Sequence, residues 1–150
     1  MSFGPALRSA PVARTRAGTP PIRTFAGVTP FTTATGTPGK LIKIDGFVYA
    51  IAVTPDSKTA YVSSQPATKP EPAGCTGQTG EVTPISTATN VPGRPIRVDC
   101  GPYFLAITPD GKTVWVASGE RTVTPIATAT NTLGKPIKFR GAIKAIAVSP

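Results

Sequence analysis

The side chains that could do chemistry here are few, and they repeat. Asp45 and Asp99 stand in matching surroundings, and Asp56 and Asp110 do the same. Paired carboxylates can share a proton or hold a cation, so Asp45 and Asp99 are candidate acids at the mouth of a channel, and the third matching position holds Arg140. Asp56 and Asp110 sit in Pro-Asp-Ser-Lys and Pro-Asp-Gly-Lys, where tight-turn chemistry accounts for them. The cations are as regular: Lys40 and Lys43, Arg94 and Arg97, Lys135 and Lys138 form three pairs with internal spacing three. On a strand that spacing puts the members of a pair on opposite faces. Joined in an arc, the pairs could draw in polyanions; equally, they are the charges that keep an outer strand from pairing with a stranger.

Cys75 and Cys100 are the only thiols. Oxidised, they would close a loop of about 25 residues, contribute roughly 3 kcal/mol in the chain-entropy view and imply an oxidising compartment. Two free thiols are the alternative, and alkylation with mass measurement separates the two. The sequence has no His, which removes the commonest general base and metal ligand, and with it any Ser-His or Cys-His nucleophile built from this chain. Two cysteines without His cannot close a zinc site; Gly111-Lys112-Thr113 lacks the glycine five positions earlier that a Walker loop needs, Ala106 standing there, and no Gly-x-Gly-x-x-Gly occurs. No catalytic residue, metal ligand or cofactor is therefore assigned.

The elements that must position these residues are strands. The 18 Pro and 15 Gly of the 150 residues leave no long helical window, and β-branched Val, Ile and Thr dominate where Leu is scarce. Thr83-Pro84-Ile85-Ser86-Thr87-Ala88-Thr89-Asn90 recurs, shifted by 41 positions, as Thr124-Pro125-Ile126-Ala127-Thr128-Ala129-Thr130-Asn131. An earlier copy, Thr29-Pro30-Phe31-Thr32-Thr33-Ala34-Thr35-Gly36, precedes the first of these by 54 positions, an excess of 13. The excess falls in a Pro- and Gly-rich insertion around 65–77, which lengthens one loop and spares the sheet.

Each unit reads as four strands: Ala50–Thr54, Ala60–Ser63, Val82–Ile85 and Pro95–Val98, then Leu105–Thr108, Val114–Ala117, Val123–Ile126 and Pro136–Phe139. The first strand is innermost, with Ile51 and Val53, Leu105 and Ile107, Ile146 and Val148 on one face and Ala52, Ala106 and Ala147 on the other. The third and fourth strands contain prolines, which places them at or near a sheet edge. A third copy of the first strand, Ala145–Pro150, is cut off inside its turn, so the repeat reads as truncated. Residues 1–28 are a basic Pro/Ala/Thr-rich segment, either disordered or a worn partial repeat; residues 29–150 are the repeats.

A period near 41 with four strands per unit is that of a propeller blade. The core Ala106-Ile107-Thr108-Pro109-Asp110-Gly111-Lys112-Thr113-Val114-Trp115-Val116 resembles the YVTN-family β-propeller repeat, and Thr128-Ala129-Thr130-Asn131-Thr132 resembles that family's Thr-Ala-Thr-Asn-Thr segment. The family's Asp before Thr-Ala-Thr is absent, Ser86 and Ala127 standing there. The resemblance implies an all-β fold of tandem four-stranded antiparallel blades forming part of a propeller, of the kind found in surface-layer and secreted proteins. It implies an extracytoplasmic, non-catalytic scaffold or binding surface for protein or cell-envelope polymer partners, completed by further blades of a longer chain or by self-association. Alternatives are a fragment of a lactonase-like propeller enzyme whose catalytic residues lie elsewhere, and a polyanion-binding basic surface. The net charge of +9 keeps nucleic acid in view. Without cation runs or interleaved aromatics, however, nucleic acid is disfavoured as a partner. No apolar run reaches the roughly 18 residues of a membrane span, and the arginine-bearing N-terminus has no apolar core of a signal peptide.

Overall fold

The computed structural model describes residues 25–66 and 79–149. Residues 1–24 and most of the insertion, Cys75 included, lie outside the described residues. Among the described residues thirteen strands form, and no helix does. β5 (Phe47–Val53), β6 (Thr59–Gln65), β7 (Thr79–Ser86) and β8 (Ile96–Asp99) make one antiparallel sheet in chain order, here blade II. β9 (Pro102–Ile107), β10 (Thr113–Ser118) and β11 (Thr122–Ala127) build blade III in the same order, with the short β12 (Thr132–Leu133) and β13 (Ile137–Lys138) both on β11. Ahead of them, β1 (Phe25–Val28) pairs with β4 (Ile42–Asp45), and β2 (Phe31–Thr32) with β3 (Thr37–Pro38), the outer half of a blade I. Sheet pairing is thus already present at Phe25, just ahead of the boundary read from the repeat.

The middle strands of blade II, β6 and β7, are buried on both faces, and β6 shows how. Tyr61 and Val62, adjacent in sequence, point to opposite sides as a strand requires. Tyr61, with Val82 and Val98, packs against Val114, Val116 and Ile126 of blade III. Val62, with Ile85, packs against Ile42 and Ile44 of blade I. Leu105 and Ile107 join the first cluster, which seats the inner strand of blade III against blade II. Their counterparts Ile51 and Val53 remain half exposed, at 50% and 51%, because blade I offers only its outer strands among the described residues.

The repeated motifs are hairpin locks. In both β5–β6 and β9–β10 the Thr before Pro-Asp donates its hydroxyl to the Asp carboxylate at 2.6 Å (Thr54 to Asp56, Thr108 to Asp110). The amides of Lys58 and Lys112 donate to the same carboxylates at 3.0 Å, and these bonds hold both acids below the usual carboxylate range. The first Thr of Thr-Ala-Thr then fastens onto the hairpin of its own blade, with Thr87 Oγ1 donating to the Ser57 carbonyl at 2.6 Å and Thr128 Oγ1 to the Gly111 carbonyl at 2.7 Å. The motif ends on Gly36, Asn90 or Asn131, all in the left-handed region that Gly and Asn tolerate best. The same region is occupied by Ser57 (φ 58°) where the second hairpin has Gly111 (φ 69°). Ser57→Gly should therefore raise stability by about 0.5–1 kcal/mol, relief of strain outweighing the looser unfolded chain; a urea midpoint that stays or falls would contradict this.

The proline-bearing strands lie at or near the sheet edges as expected: β8 is the edge of blade II with β7, which holds Pro84, beside it, and β11, which holds Pro125, is beside the short edge strands of blade III. Pairing of β7 with β8 stops at Val82, and beyond it the carbonyl of Pro84 accepts the Gly93 amide at 2.7 Å. Pro125 with Gly134 and Pro30 with Gly39 repeat that contact. In an antiparallel strand the N–H and C=O of a residue point the same way, so the missing proline donors face these loops, not a ladder. Against expectation, the third copy of the first strand forms no strand at 139–149. A first strand pairs with the second strand of its own unit, and the described residues hold none for that copy.

Candidate functional site

All strand-four ends meet strand-one starts at one end of the sheets, and the acids gather there. Asp99 closes β8, and its carboxylate accepts the hydroxyl of Thr122 at 2.6 Å across the seam between blades II and III. Asp45 closes β4 one blade earlier, and Glu81 takes the place of Thr122 in that seam. Burial, then the charge of Asp45, pushes the Glu81 carboxyl above its ordinary value, while Arg97, directly across the β7–β8 pair, pulls the other way. Asp99 is thus engaged across its seam while Asp45 stands near Glu81 as a like charge, and no group of three metal-ligating side chains occurs among the described residues. Ser64 and Ser118, equivalent residues of β6 and β10, lie beside Glu81 and Thr122 in register, and the hydroxyl of each is buried with no hydrogen-bond partner among the described residues. Since both seams have this serine, with and without the second acid, it marks tight packing at the seam and not a ligand.

A raised carboxyl favours the folded state in its protonated form, so the stabilisation from Glu81 is full below about pH 4.3 and fades as pH rises through its folded value. Glu81→Gln, which keeps the neutral shape, should stabilise the chain at pH 7 by less than about 1 kcal/mol, the group being partly open to solvent, and should lose that advantage at pH 4. Thermal melts at both pH values decide it; equal shifts would refute the linkage.

The basic pairs are placed differently from the reading by strand parity. Only Lys43, Arg97 and Lys138 lie in strands; Lys40, Arg94 and Lys135 precede them in loops, so parity does not set them on opposite faces. All six are exposed. Arg94 and Arg97 line one cleft of about 920 Å³ between the outer strands of blade II and the Thr-Ala-Thr-Asn turn of blade III. In that turn Asn131 accepts the Tyr61 hydroxyl at 2.8 Å, a bond between blades that no sequence pattern announced. Cys100 is buried and disulfide-bonded. Cys75, its companion in the sequence reading, lies outside the described residues.

Sequence reasoning also missed an aromatic pair. A register shift in β5 leaves Tyr49 outside the ladder, and one in β9 does the same for Tyr103. These equivalent bulges bring the two rings to 4.9 Å between centroids, edge to face. The ring of Tyr103 lies over Gly101 and Gly119, where a Cβ would meet it at 2.8 and 2.9 Å. Two tyrosines at the same repeat position were the available signal, but their side of the sheet depends on the bulge.

No protein-family model matches the chain, and no curated protein sequence does. Among solved structures it is similar to the hydrazine synthase of Kuenenia stuttgartiensis, with a TM-score of 0.69, 20% identity and coverage of 84% of this chain and 46% of that one. It is also similar to a Bacteroides fragilis protein described as a 6-phosphogluconolactonase, with a TM-score of 0.50, 20% identity and coverage of 75% and 33%. The chain spans less than half the length of either. At such identity the likeness speaks to architecture alone. Stacked antiparallel sheets repeating at blade length, matched by these two structures, show that the fold is all-β and of the propeller type.

Proposed function

We propose that this chain is a YVTN-like propeller module that acts without catalysis as a scaffold or binding surface, outside the cytoplasm, for protein or cell-envelope partners. One observation carries the reading: the Ile51 and Val53 strip of β5 is half exposed, while the equivalent Leu105 and Ile107 are packed against the neighbouring blade. An apolar strip shaped to take a blade is a surface for association, whether with further repeats of a longer chain or with another copy. The acids support the same reading, since the turns engage Asp56 and Asp110, and Thr122 engages Asp99. Light scattering over a range of concentrations tests it: the isolated chain should associate, and Ile51→Asp should abolish association without lowering the melting temperature. A chain that stays monomeric throughout would count against it.

A second reading, a piece of a propeller enzyme, is favoured by the likeness to two proteins whose names denote enzymes. Lactone turnover by this chain extended with further repeats would support that reading over the first.

A further inference from the structure

The cleft between blades II and III combines features that the scaffold reading does not use. Two guanidinium groups, Arg94 and Arg97, line it, and neither forms an ion pair within 4 Å among the described residues, where the pairs found are Lys58–Asp56 and Lys112–Asp110. Asn131 lines it too. Its carboxamide oxygen is occupied by the Tyr61 hydroxyl, which leaves the NH₂ as its hydrogen-bonding end. Ile96 and Leu133 supply apolar wall, and no aromatic ring lines the cleft among the described residues. Planar guanidinium forks bind carboxylate or sulfate two-pronged, and fixed amide donors add direction. Lys40 with Lys43 and Lys135 with Lys138 repeat the cation pair at the outer edge of the blades on either side. A ligand carrying acidic groups at intervals could engage more than one pair. With no ring to stack on, bases have nothing to hold them here, which sets nucleic acid aside.

We infer that this cleft binds the acidic groups of an anionic polysaccharide, held by Arg94 and Arg97 and oriented by Asn131. Glu81 also lines the cleft, the one carboxylate there among the described residues, and it attracts Arg97 from beyond ion-pair distance. The groups that act on Glu81 are Asp45 from blade I and Arg97 from its own blade. Protonation of Glu81 removes a negative charge that would repel an acidic ligand from the cleft, so binding should strengthen as pH falls. The site lies wholly within two described blades and stands or falls separately from association through β5.

Titration calorimetry with polygalacturonate and heparin, as carboxylated and sulfated probes, tests the site, with a thymidine oligonucleotide as the nucleic-acid arm. The double substitution Arg94→Ala/Arg97→Ala should weaken polysaccharide binding at least tenfold. Lys58→Ala/Lys112→Ala, which removes the same charge from the turns, should change it less than threefold. Glu81→Gln should bind more tightly at pH 7 and flatten the pH dependence. Equal losses from both double substitutions would overturn the site in favour of diffuse charge, as would tighter binding of the oligonucleotide or no binding of either polysaccharide. Circular dichroism melts of each variant separate lost binding from lost folding.

Discussion

Tyr61→Ala is expected to cost about 3–5 kcal/mol, the range for removing a large buried aromatic. Tyr61 is 1% exposed and lies on the blade III side of β6, within the largest apolar cluster. Its ring fills the seam between two blades, where neighbouring backbones are held apart by their own sheets and cannot easily close a cavity. Its hydroxyl crosses the same seam to Asn131, and burial pushes the phenol above its ordinary value. Tyr61→Phe should therefore cost only about 1 kcal/mol, the net worth of one hydrogen bond. Urea unfolding of both variants separates packing from hydrogen bonding; a loss for the alanine no larger than that for the phenylalanine would mean that the seam is not packed as described.

Gly46→Ala should cost about 3 kcal/mol or more, because two penalties add at one position. Gly46 joins blade I to blade II at a buried position with φ of +80°, where an L side chain is strained. A Cβ there would also collide with the carbonyl of Gln65 at the end of β6. That obstacle is backbone held in a sheet, so relief requires moving a strand. Gly36→Ala is the matched control: its φ is +66°, but nothing lies within 4 Å of an added Cβ. The control should cost only about 1 kcal/mol. Urea midpoints that fall equally for the two would show that conformation alone, and not the close approach of β6, sets the demand at position 46.

The strands were legible because their residues obey two periods at once, alternation along each strand and recurrence at 41 or 54 positions. Pro-Asp-Gly-Lys announced its hairpin, since proline fixes φ and the acid takes the amide of Lys112. The role of Thr128 was not legible, because its partner, the Gly111 carbonyl, lies across a turn whose approach only the fold defines. The nearness of Asp45 to Glu81 was hidden for the same reason: the insertion displaces Glu81 along the chain, and only matching it to Thr122 places it in the seam. Strand parity failed for Arg94 and Arg97 because the strand begins after Pro95, so the two arginines never shared one extended segment. Parity also could not foresee the bulges that turn Tyr49 and Tyr103 out of their ladders.

Matching segments of the repeat are successive sheets stacked face to face, with β6 between two of them. Nuclear Overhauser contacts from the neighbouring side chains Tyr61 and Val62 test this most directly. The fold predicts that Tyr61 contacts Val114 and Val116 while Val62 contacts Ile42 and Ile44. Contacts from both residues to one common set of partners, or to positions three and four away along the chain, would contradict it.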